Sequence, residues 1–350
     1  MGSKANGSRN GIRDLSPTAA SEWLDLSQIP VAVVGMGLMG TSIASCLLTA
    51  GHPTVGIEID PTKRRSAKRR LLVLLKELRK EGLLNSEPAR VVARFSVSQN
   101  YSSLANSVVV IEAIHESIEE KQRAIRHIEQ VVSAQALIGS NTSAIPVTLL
   151  QKSAIHPERI MGIHWAEPAH VTRFMEIICG KRTDPRNAER AQLLARCWSK
   201  EPSILRRDIR GFITNRCFYA LLREAFHLVE SGYATIEDVD RSLRNDLGYW
   251  ITFAGPFRFM DVTGLAAYEA VMRDLFPDLS CSREVPPLLR KLVRSGAQGI
   301  SNAGGFYRYT PAQAKRWQEL FLKFSYQIRV LAQEYPENAG DSPNGRRKSR

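Results

Sequence analysis

The sequence predicts an α/β fold with a doubly wound, mostly parallel sheet, followed by an all-α C-terminal domain. Short apolar segments alternate with helical patterns from Pro30 to Asp208. From Gly211 onward the apolar spacing is helical, and a glycine-rich turn joins the first strand to the first helix. At 350 residues, the chain is long enough for two domains. The predicted order is a disordered tail at 1–28, a sheet domain at 29–208, a helical domain at 209–333 and a disordered tail at 334–350.

Eight short apolar segments have strand character, and helical patterns separate most of them, as in parallel sheets with helical crossovers. They are 31–35, 54–58, Val91–Val92, Val108–Ile111, Ala136–Ile138, Ile160–Ile163, Phe174–Ile178 and Ser203–Leu205. No helical pattern lies between 160–163 and 174–178, so this pair is predicted to be antiparallel at the sheet edge.

The second half reads as helices. Apolar residues at helical spacing run from Phe212 to Ser231 and stop before Gly232. Thr235 is a suitable N-cap for a second helix, and Leu288–Val293 and Pro311–Ala332 continue the pattern. We therefore predict a separate helical domain with little strand.

The turn after the first strand has the pattern G-x-G-x-x-G and indicates a dinucleotide site in a Rossmann-type domain. Gly35 permits the tight turn, Gly37 leaves room for the pyrophosphate, and Gly40 allows close packing of helix and strand. Free N–H groups and the dipole at the helix start favour phosphate. The predicted cofactor-binding residues of this turn are Gly35, Met36, Gly37, Leu38, Met39 and Gly40.

Glu58 ends the second strand about 20 residues beyond the glycines, where an acid binds the ribose hydroxyls. A carboxylate at this position repels a 2′-phosphate, so the sequence favours NAD over NADP. Arg64 and Arg65 follow shortly afterwards and weaken this preference for NAD.

Composition limits the classes of protein to which the chain can belong. A hydrophobic content of 43% and a mean hydropathy of −0.21 are typical of a soluble globular protein. No apolar run approaches the ~20 residues of a membrane span, and no secretory signal core is evident, so a cytoplasmic protein is expected. The five cysteines are scattered and are predicted to be reduced thiols, with no metal site.

Close to half of the formal net charge of +13 lies in one predicted helix. Between Asp60 and Glu81 there are nine Lys or Arg residues and three acids. Such a run is either a solvated helix face or an anion site. No nucleic-acid-binding fold is recognised, and a handle for a polyphosphate substrate suits a dinucleotide domain better than nucleic acid does.

His164 is the candidate acid–base residue, because its ordinary pKa of about 6.5 lets it take and give a proton near neutrality. It follows an apolar strand, and Glu176 lies on the next strand. Antiparallel pairing of these strands places the carboxylate against the imidazole. Six other histidines are alternatives, and His115 and His170 are also near predicted loops.

Several motifs occur in an order that resembles the 3-hydroxyacyl-CoA dehydrogenase family, including its relatives that oxidise free 3-hydroxy acids such as gulonate and carnitine. The resemblance covers residues 30–310. The motifs are Gly35–Gly40, Ile111-Glu-Ala113, Ser140-Asn-Thr-Ser143, His164 with Pro168, Glu176, Gly211-Phe-Ile-Thr-Asn-Arg216, Gly255-Pro-Phe257 with Met260-Asp261, and Gly304-Gly-Phe-Tyr307.

The resemblance implies NAD as cofactor, a small-molecule substrate, and a homodimer formed through the helical domain. It implies that Glu58 binds the adenosine ribose and that Glu116 and Lys121 contact NAD. It further implies that His164 and Glu176 are the catalytic pair. Two polar residues are then expected to hydrogen-bond the reacting oxygen, Ser143 and Asn215.

Departures from the family pattern concern the substrate. Glu167 stands where the family usually has Asn, which adds a negative charge that repels a carboxylate or recruits a cation. The CoA-contacting serine and lysine fall at Leu74 and Glu81, so Lys80 is the expected substitute. We thus expect Ser143, Glu167, Asn215 and Lys80 to contact the substrate.

Three functions remain open from the sequence. The first is an NAD-dependent 3-hydroxyacyl-CoA dehydrogenase, favoured by the basic helix. The second is a dehydrogenase of a free 3-hydroxy acid, favoured by the missing CoA contacts. The third is an NAD-binding protein without turnover, favoured by Glu167 and disfavoured by the intact His164.

Overall fold

A computed structural model describes residues 26 and 28–335, which form an eight-stranded sheet with helices on both faces, followed by a helical domain. The predicted tails, 1–28 and 334–350, lie almost wholly outside the described residues. The spatial strand order is β3-β2-β1-β4-β5-β6-β7-β8. The strands are β1 (Val31–Val34), β2 (Thr54–Ile57), β3 (Phe95–Ser98), β4 (Val109–Glu112), β5 (Leu137–Ser140), β6 (Ile160–Trp165), β7 (Phe174–Cys179) and β8 (Glu201–Leu205).

The described residues form thirteen α-helices, of which the first six flank the sheet. The helices are α1 (Leu38–Thr49), α2 (Pro61–Lys80), α3 (Pro88–Ala93), α4 (Ile118–Glu129), α5 (Val147–Leu150), α6 (Pro185–Cys197), α7 (Thr214–Glu230), α8 (Ile236–Asn245), α9 (Leu247–Phe253), α10 (Pro256–Thr263), α11 (Leu265–Leu275), α12 (Pro287–Arg294) and α13 (Pro311–Glu334). This arrangement confirms the predicted fold class.

One predicted strand is wrong. Val91–Val92 lies in α3, which Pro88 begins at a position where the fixed proline φ suits the first helical turn. The strand is the next segment, β3, whose Phe95 is buried. Two adjacent valines have the pattern of a strand, but Pro88, three residues before Val91, begins a helix that includes them.

The antiparallel pair is confirmed, although its position in the sheet differs from the prediction. β6 and β7 run antiparallel, with His164 opposite Glu176 in the ladder. β7 is not the edge, because β8 pairs parallel beside it. The other neighbouring strands are all parallel.

The sheet is buried on both faces because alternate side chains enter two apolar clusters. Val31 and Val33 pack with α1, α2 and α6, whereas Ala32 and Val34 pack with α4 and α5. All four β1 residues are therefore buried. This burial holds the carboxyl ends of β1, β4, β5 and β6 together, where sites form in such folds.

The helical domain has well-formed helix starts but little interior of its own. Thr235 caps α8 by accepting from the Asp238 N–H, and Thr310 with Gln313 forms a capping box at α13. Helices α7, α9, α10, α11 and α12 contain no buried residue in the described chain.

The last helix returns to the sheet domain. The Tyr326 hydroxyl donates to Glu77 Oε1 at 2.7 Å, and Arg329 Nη1 donates to the Val171 carbonyl at 2.6 Å. The two domains are therefore connected by the chain between β8 and α7 and also by these contacts of α13.

Candidate active site

The glycine turn has the geometry that close approach of a phosphate requires. Gly35 has a φ of +94°, which side chains rarely adopt. A Cβ at Gly40 would lie 1.8 Å from the Gly35 carbonyl oxygen, whereas a Cβ at Gly37 would have no atom within 4 Å. Gly40 is therefore needed for packing, while Gly37 keeps the surface above the turn open.

The start of α1 offers unpaired backbone N–H groups above this open surface. Its N-cap is Gly37, which supplies no side-chain hydrogen bond, and its first turn holds no acid. The N–H groups of Leu38, Met39 and Gly40 precede the first intrahelical bond, which runs from Thr41 to Gly37. These residues fit a pyrophosphate.

Glu58 supports the turn from the end of β2. Its Oε2 accepts from the Met36 N–H and its Oε1 accepts from the Asp60 N–H, both at 2.9 Å. Met36 itself is fully buried, so its contribution to the surface is its backbone. Each carboxylate oxygen keeps a further acceptor site for a ribose hydroxyl.

Arg70 is a supporting residue that the sequence did not single out. Its guanidinium donates to the Met36 carbonyl at 2.6 Å, the Gly37 carbonyl at 3.3 Å and Thr41 Oγ1 at 2.7 Å. It is one of nine basic residues in the same segment, and no local pattern distinguishes it from the others. Only the packing of α2 against α1 identifies it.

Lys121, which the resemblance implies contacts NAD, is buried. Its side chain is 1% exposed, and its ammonium bonds Glu112 Oε1 at 2.8 Å and lies 3.3 Å from Glu116 Oε2. Ser140 donates to the other Glu112 oxygen. In this structure, Lys121 therefore neutralises two acids and holds the loop after β4.

Glu116 organises the loop after β5. Its Oε1 accepts from Thr142 Oγ1 at 2.5 Å and from the Ser143 N–H at 2.9 Å. Burial raises the pKa of Glu116, but the Thr142 hydrogen bond and the charge of Lys121 outweigh burial, so the pKa lies below its ordinary value. The acid is therefore ionised near neutrality.

Ser143 and Asn215 are brought together across the domain boundary. Asn215 Nδ2 donates to the Ser143 carbonyl at 2.9 Å. Ser143 is exposed, and its hydroxyl has no hydrogen bond to the described residues. The hydroxyl is thus free to bond a substrate oxygen, as the sequence prediction requires.

His164 and Glu176 form a buried pair. His164 Nδ1 lies 3.0 Å from Glu176 Oε2, and the side chains are 9% and 0% exposed. The other carboxylate oxygen accepts from the N–H groups of Ile213 and Thr214, at 3.1 and 3.0 Å. Burial raises the pKa of Glu176, but the bonds from His164 and Thr214 lower it overall, so the carboxylate is charged.

The candidate residues form one connected network. Glu116 accepts from the Ser143 N–H, and the Ser143 carbonyl accepts from the Asn215 side chain. Thr214, which precedes Asn215, donates its N–H to Glu176, and Glu176 contacts His164. The glycine turn joins them, because a Cβ at Gly35 would meet the backbone of the loop after β4.

Glu167 and Lys80 stand outside this network. Glu167 is exposed three residues after His164, and Lys80 is exposed at the end of α2. One turn before Lys80, Glu77 bonds Tyr326 and also lies 3.3 Å from His170 Nε2. His170 is thereby held in a structural role, and its other ring nitrogen lies 2.8 Å from Ser42 Oγ.

Two further properties concern the described part of the chain. It contains no group of three or more His, Cys, Asp or Glu residues that would hold a metal ion. Within residues 26 and 28–335, no helix is both long and apolar enough to cross a membrane.

Comparisons with known proteins identify the family of this chain. Residues 30–209 match the family description "3-hydroxyacyl-CoA dehydrogenase, NAD binding domain", and residues 211–309 match "3-hydroxyacyl-CoA dehydrogenase, C-terminal domain". Helix α13 begins after the matched region.

Two curated relatives illustrate the range of substrates. The 5-formyl-3-hydroxy-2-methylpyridine 4-carboxylate 5-dehydrogenase of Mesorhizobium japonicum is 32% identical over 82% of this chain and 93% of its own. The 3-hydroxybutyryl-CoA dehydrogenase of Mycobacterium tuberculosis is 28% identical over 80% of this chain and 98% of its own.

A solved structure supports the same assignment. The crystal structure of a 5-formyl-3-hydroxy-2-methylpyridine 4-carboxylic acid 5-dehydrogenase, described as an NAD+-dependent dismutase, superposes with a TM-score of 0.81 at 29% identity. It covers 89% of this chain and 99% of the other. NAD is accordingly the cofactor, and the reaction type is oxidation of CH–OH. The chain belongs to the 3-hydroxyacyl-CoA dehydrogenase family.

Proposed function

We propose that this protein interconverts a 3-hydroxyl and a 3-keto group, with His164 and Glu176 as the acid–base pair. The observation that carries the proposal is the 3.0 Å contact between His164 Nδ1 and a fully buried Glu176 carboxylate. A buried carboxylate in such a contact fixes the imidazole tautomer and stabilises its charged form.

The pair is arranged for proton transfer at one ring nitrogen. With Nδ1–H donated to Glu176, Nε2 of His164 is the acceptor that takes a hydroxyl proton during oxidation and returns it during reduction. NAD, when bound, supplies the hydride acceptor. Phe174 and Phe212 pack against the imidazole, with ring centroids 5.4 and 5.6 Å away, and limit access of water.

Ser143 and Asn215 are proposed to bind the reacting oxygen. The hydroxyl of Ser143 is free, and one amide hydrogen of Asn215 remains after its bond to the Ser143 carbonyl. Donors fixed in advance stabilise charge on the oxygen in the transition state more than in the ground state.

A 3-hydroxyacyl-CoA is the first candidate substrate. The family match and the 3-hydroxybutyryl-CoA dehydrogenase relative support it. The exposed bases of α2, Lys76 and Lys80 among them, supply positive charge for a phosphorylated handle.

A small free acid is the second candidate, and one observation favours it. Leu74 on α2 and Glu81, which directly follows α2, occupy the positions at which the resemblance places CoA contacts. Between them, Glu77 already accepts a hydrogen bond from Tyr326 of α13. The pyridine carboxylate dehydrogenase relative also acts on a small acid.

The two candidates are separated by measuring NADH oxidation with acetoacetyl-CoA beside NAD reduction with free 3-hydroxy acids. Turnover with acetoacetyl-CoA supports the first, and turnover with the free acids alone excludes it. If NAD binds but neither substrate class is converted, the result contradicts the proposed acid–base role of His164 and supports an NAD-binding protein without turnover.

We further propose that the protein is a homodimer formed through the helical domain. Five of its helices bury no residue, and large apolar side chains such as Phe257, Leu265 and Phe321 are 78%, 61% and 58% exposed. Apolar surface on this scale requires a partner, and a second copy of the chain presents the same surface. Sedimentation equilibrium tests this, with a monomer at micromolar concentration as the contrary result.

A further inference from the structure

A cavity of about 200 Å³ lies between the C-terminal end of α1, the segment 197–200 and helix α13. Thr49 and Ala50 line it, whereas the glycine turn lies at the other end of α1. Because Leu38 and Thr49 are eleven residues apart in the helix, the two ends are separated by about 17 Å. No residue of the proposed active site lines this cavity. It is therefore separate from the catalytic cleft.

Two buried cations line the cavity. Lys200 is 3% and Arg329 is 8% exposed. Lys200 Nζ donates to the carbonyls of Ala169 and Thr172, and Arg329 Nη1 donates to the Val171 carbonyl. All three partners are neutral, so these hydrogen bonds do not balance the two charges.

The counter-ion is missing from the surroundings that the structure describes. Neither Lys200 nor Arg329 forms a salt bridge with a described residue, and none of the described residues lining the cavity is Asp or Glu. The nearby Glu77 is paired with His170. Burial lowers the pKa of both cations, which reflects the cost of holding charge away from water.

Two buried donors on lining residues are also unsatisfied. Thr49 Oγ1 and Arg329 Nε have no hydrogen-bond partner among the described residues. Buried polar atoms in folded proteins nearly always have partners, so each such atom requires an explanation. Here both belong to the wall of one cavity that also carries excess positive charge.

We propose that this cavity binds a small oxyanion of the size of phosphate, held by Arg329, Lys200 and the Thr49 hydroxyl. An oxyanion accepts from both unsatisfied donors and balances the buried charge. Water alone satisfies donors but leaves the charge in place. At roughly 30 Å³ for each water, the cavity has room for an oxyanion together with several waters.

The site requires residues that are far apart in the sequence. Thr49 ends α1, Lys200 precedes β8, and Arg329 lies on α13, beyond the region that matches the family. The site therefore depends on α13, which begins after the region that matches the family's C-terminal domain.

Calorimetric titration with inorganic phosphate tests the proposal. The protein is saturated with NAD, so that the glycine turn is not available, and ionic strength is held constant with chloride. Wild type is expected to bind one phosphate per chain. Arg329→Gln and Thr49→Val, which removes only the hydroxyl, are expected to weaken this binding at least tenfold. Lys181→Gln, which removes an exposed charge from the loop after β7, is the matched control and should bind phosphate as wild type does.

Malonate titrated in parallel separates the two kinds of oxyanion. Tighter binding of phosphate supports an inorganic anion, and tighter binding of malonate supports a carboxylate metabolite. Absence of binding of both anions to wild type overturns the proposal. Equal affinity in wild type and Thr49→Val overturns it as well, because the anion then binds elsewhere. If Arg329→Gln does not fold, the comparison of wild type with Thr49→Val alone decides the question.

Discussion

Glu176 and Thr214 are bonded across the boundary between the two domains. The carboxylate on β7 accepts from the Thr214 N–H at 3.0 Å, at the first residue of α7. The same carboxylate contacts His164 Nδ1 through its other oxygen. The orientation of the proposed base is therefore coupled to the docking of the helical domain.

Replacing His164 with Ala should abolish proton transfer and leave cofactor binding nearly unchanged. General acid–base residues contribute about 10²–10⁴-fold to the rate, so kcat should fall by that factor. NADH affinity, measured by fluorescence titration, should stay within about twofold, because the imidazole contacts none of the described residues of the glycine turn. His127→Ala, at an exposed site on α4, is the control, and equal activity of the two variants would contradict the assignment.

Glu176→Gln should reduce kcat and also change how stability depends on pH. The pKa of Glu176 is lower in the folded state than its ordinary value of 4.5. Its ionised form thus stabilises the fold above about pH 4.5, and this contribution is lost as pH falls through the folded pKa. Wild type should lose stability on acidification below pH 4.5 more steeply than Glu176→Gln does. The free energy of unfolding is measured by denaturant unfolding from pH 7 to pH 3. The same pH dependence in both proteins would refute this expectation.

Replacing Gly40 with Ala should mainly reduce stability, whereas replacing Gly37 with Ala should mainly weaken NAD binding. A methyl at Gly40 lies 1.8 Å from a backbone oxygen, so Gly40→Ala should lower the free energy of unfolding by about 3 kcal/mol or more. A methyl at Gly37 meets nothing, so Gly37→Ala should melt within about a degree of wild type yet bind NAD more weakly. Thermal melts with and without NAD distinguish the two, and a large loss of stability in Gly37→Ala would be inconsistent with an open surface.

Glu58→Ala should weaken NAD binding by about tenfold to a hundredfold. The carboxylate holds the Met36 N–H, and hydrogen bonds to charged groups contribute about 1.5–3 kcal/mol. NADP should bind relatively better to the variant, because the charge that repels its 2′-phosphate is removed. If the ratio of NAD to NADP affinity is unaltered, Glu58 does not face the ribose.

Glu167→Asn tests whether this exposed acid governs substrate choice. Two like charges about 4 Å apart repel by roughly 1 kcal/mol in water, and more near a protein surface. For a substrate with a free carboxylate, kcat/KM should therefore rise about fivefold or more. Glu189→Asn, an exposed acid on α6, is the matched control, and a fall in activity towards every substrate would show that Glu167 contributes directly to catalysis.

The sheet domain was readable from the sequence because its signals are local. The apolar segments, the glycine turn and the spacing of His164 from Glu176 each lie within a few tens of residues. The sequence places a strand at Val91–Val92 because two adjacent valines satisfy a strand pattern, while Pro88, three residues before Val91, begins a helix. A pattern of apolar residues alone does not distinguish these outcomes over so short a segment.

The supporting contacts of the site were not predictable, because they join distant segments. Arg70 reaches Met36 only through the packing of α2 on α1, and Tyr326 meets Glu77 across 249 residues. Lys121, which the resemblance implies contacts NAD, is buried on α4 against Glu112 at the end of β4. No local spacing encodes which of many charged residues takes such a position.

The contacts of Tyr326 and Arg329 with the sheet domain restrict how the two halves of the molecule move. A domain attached only through the segment between β8 and α7 would swing about that joint in any direction. With α13 anchored at Glu77 and at Val171, the attachment has two ends, so we expect opening of the cleft to be a rotation about the single line that joins them. Substrate then enters the cleft from one side only, because rotation about a fixed axis separates the two domains on that side.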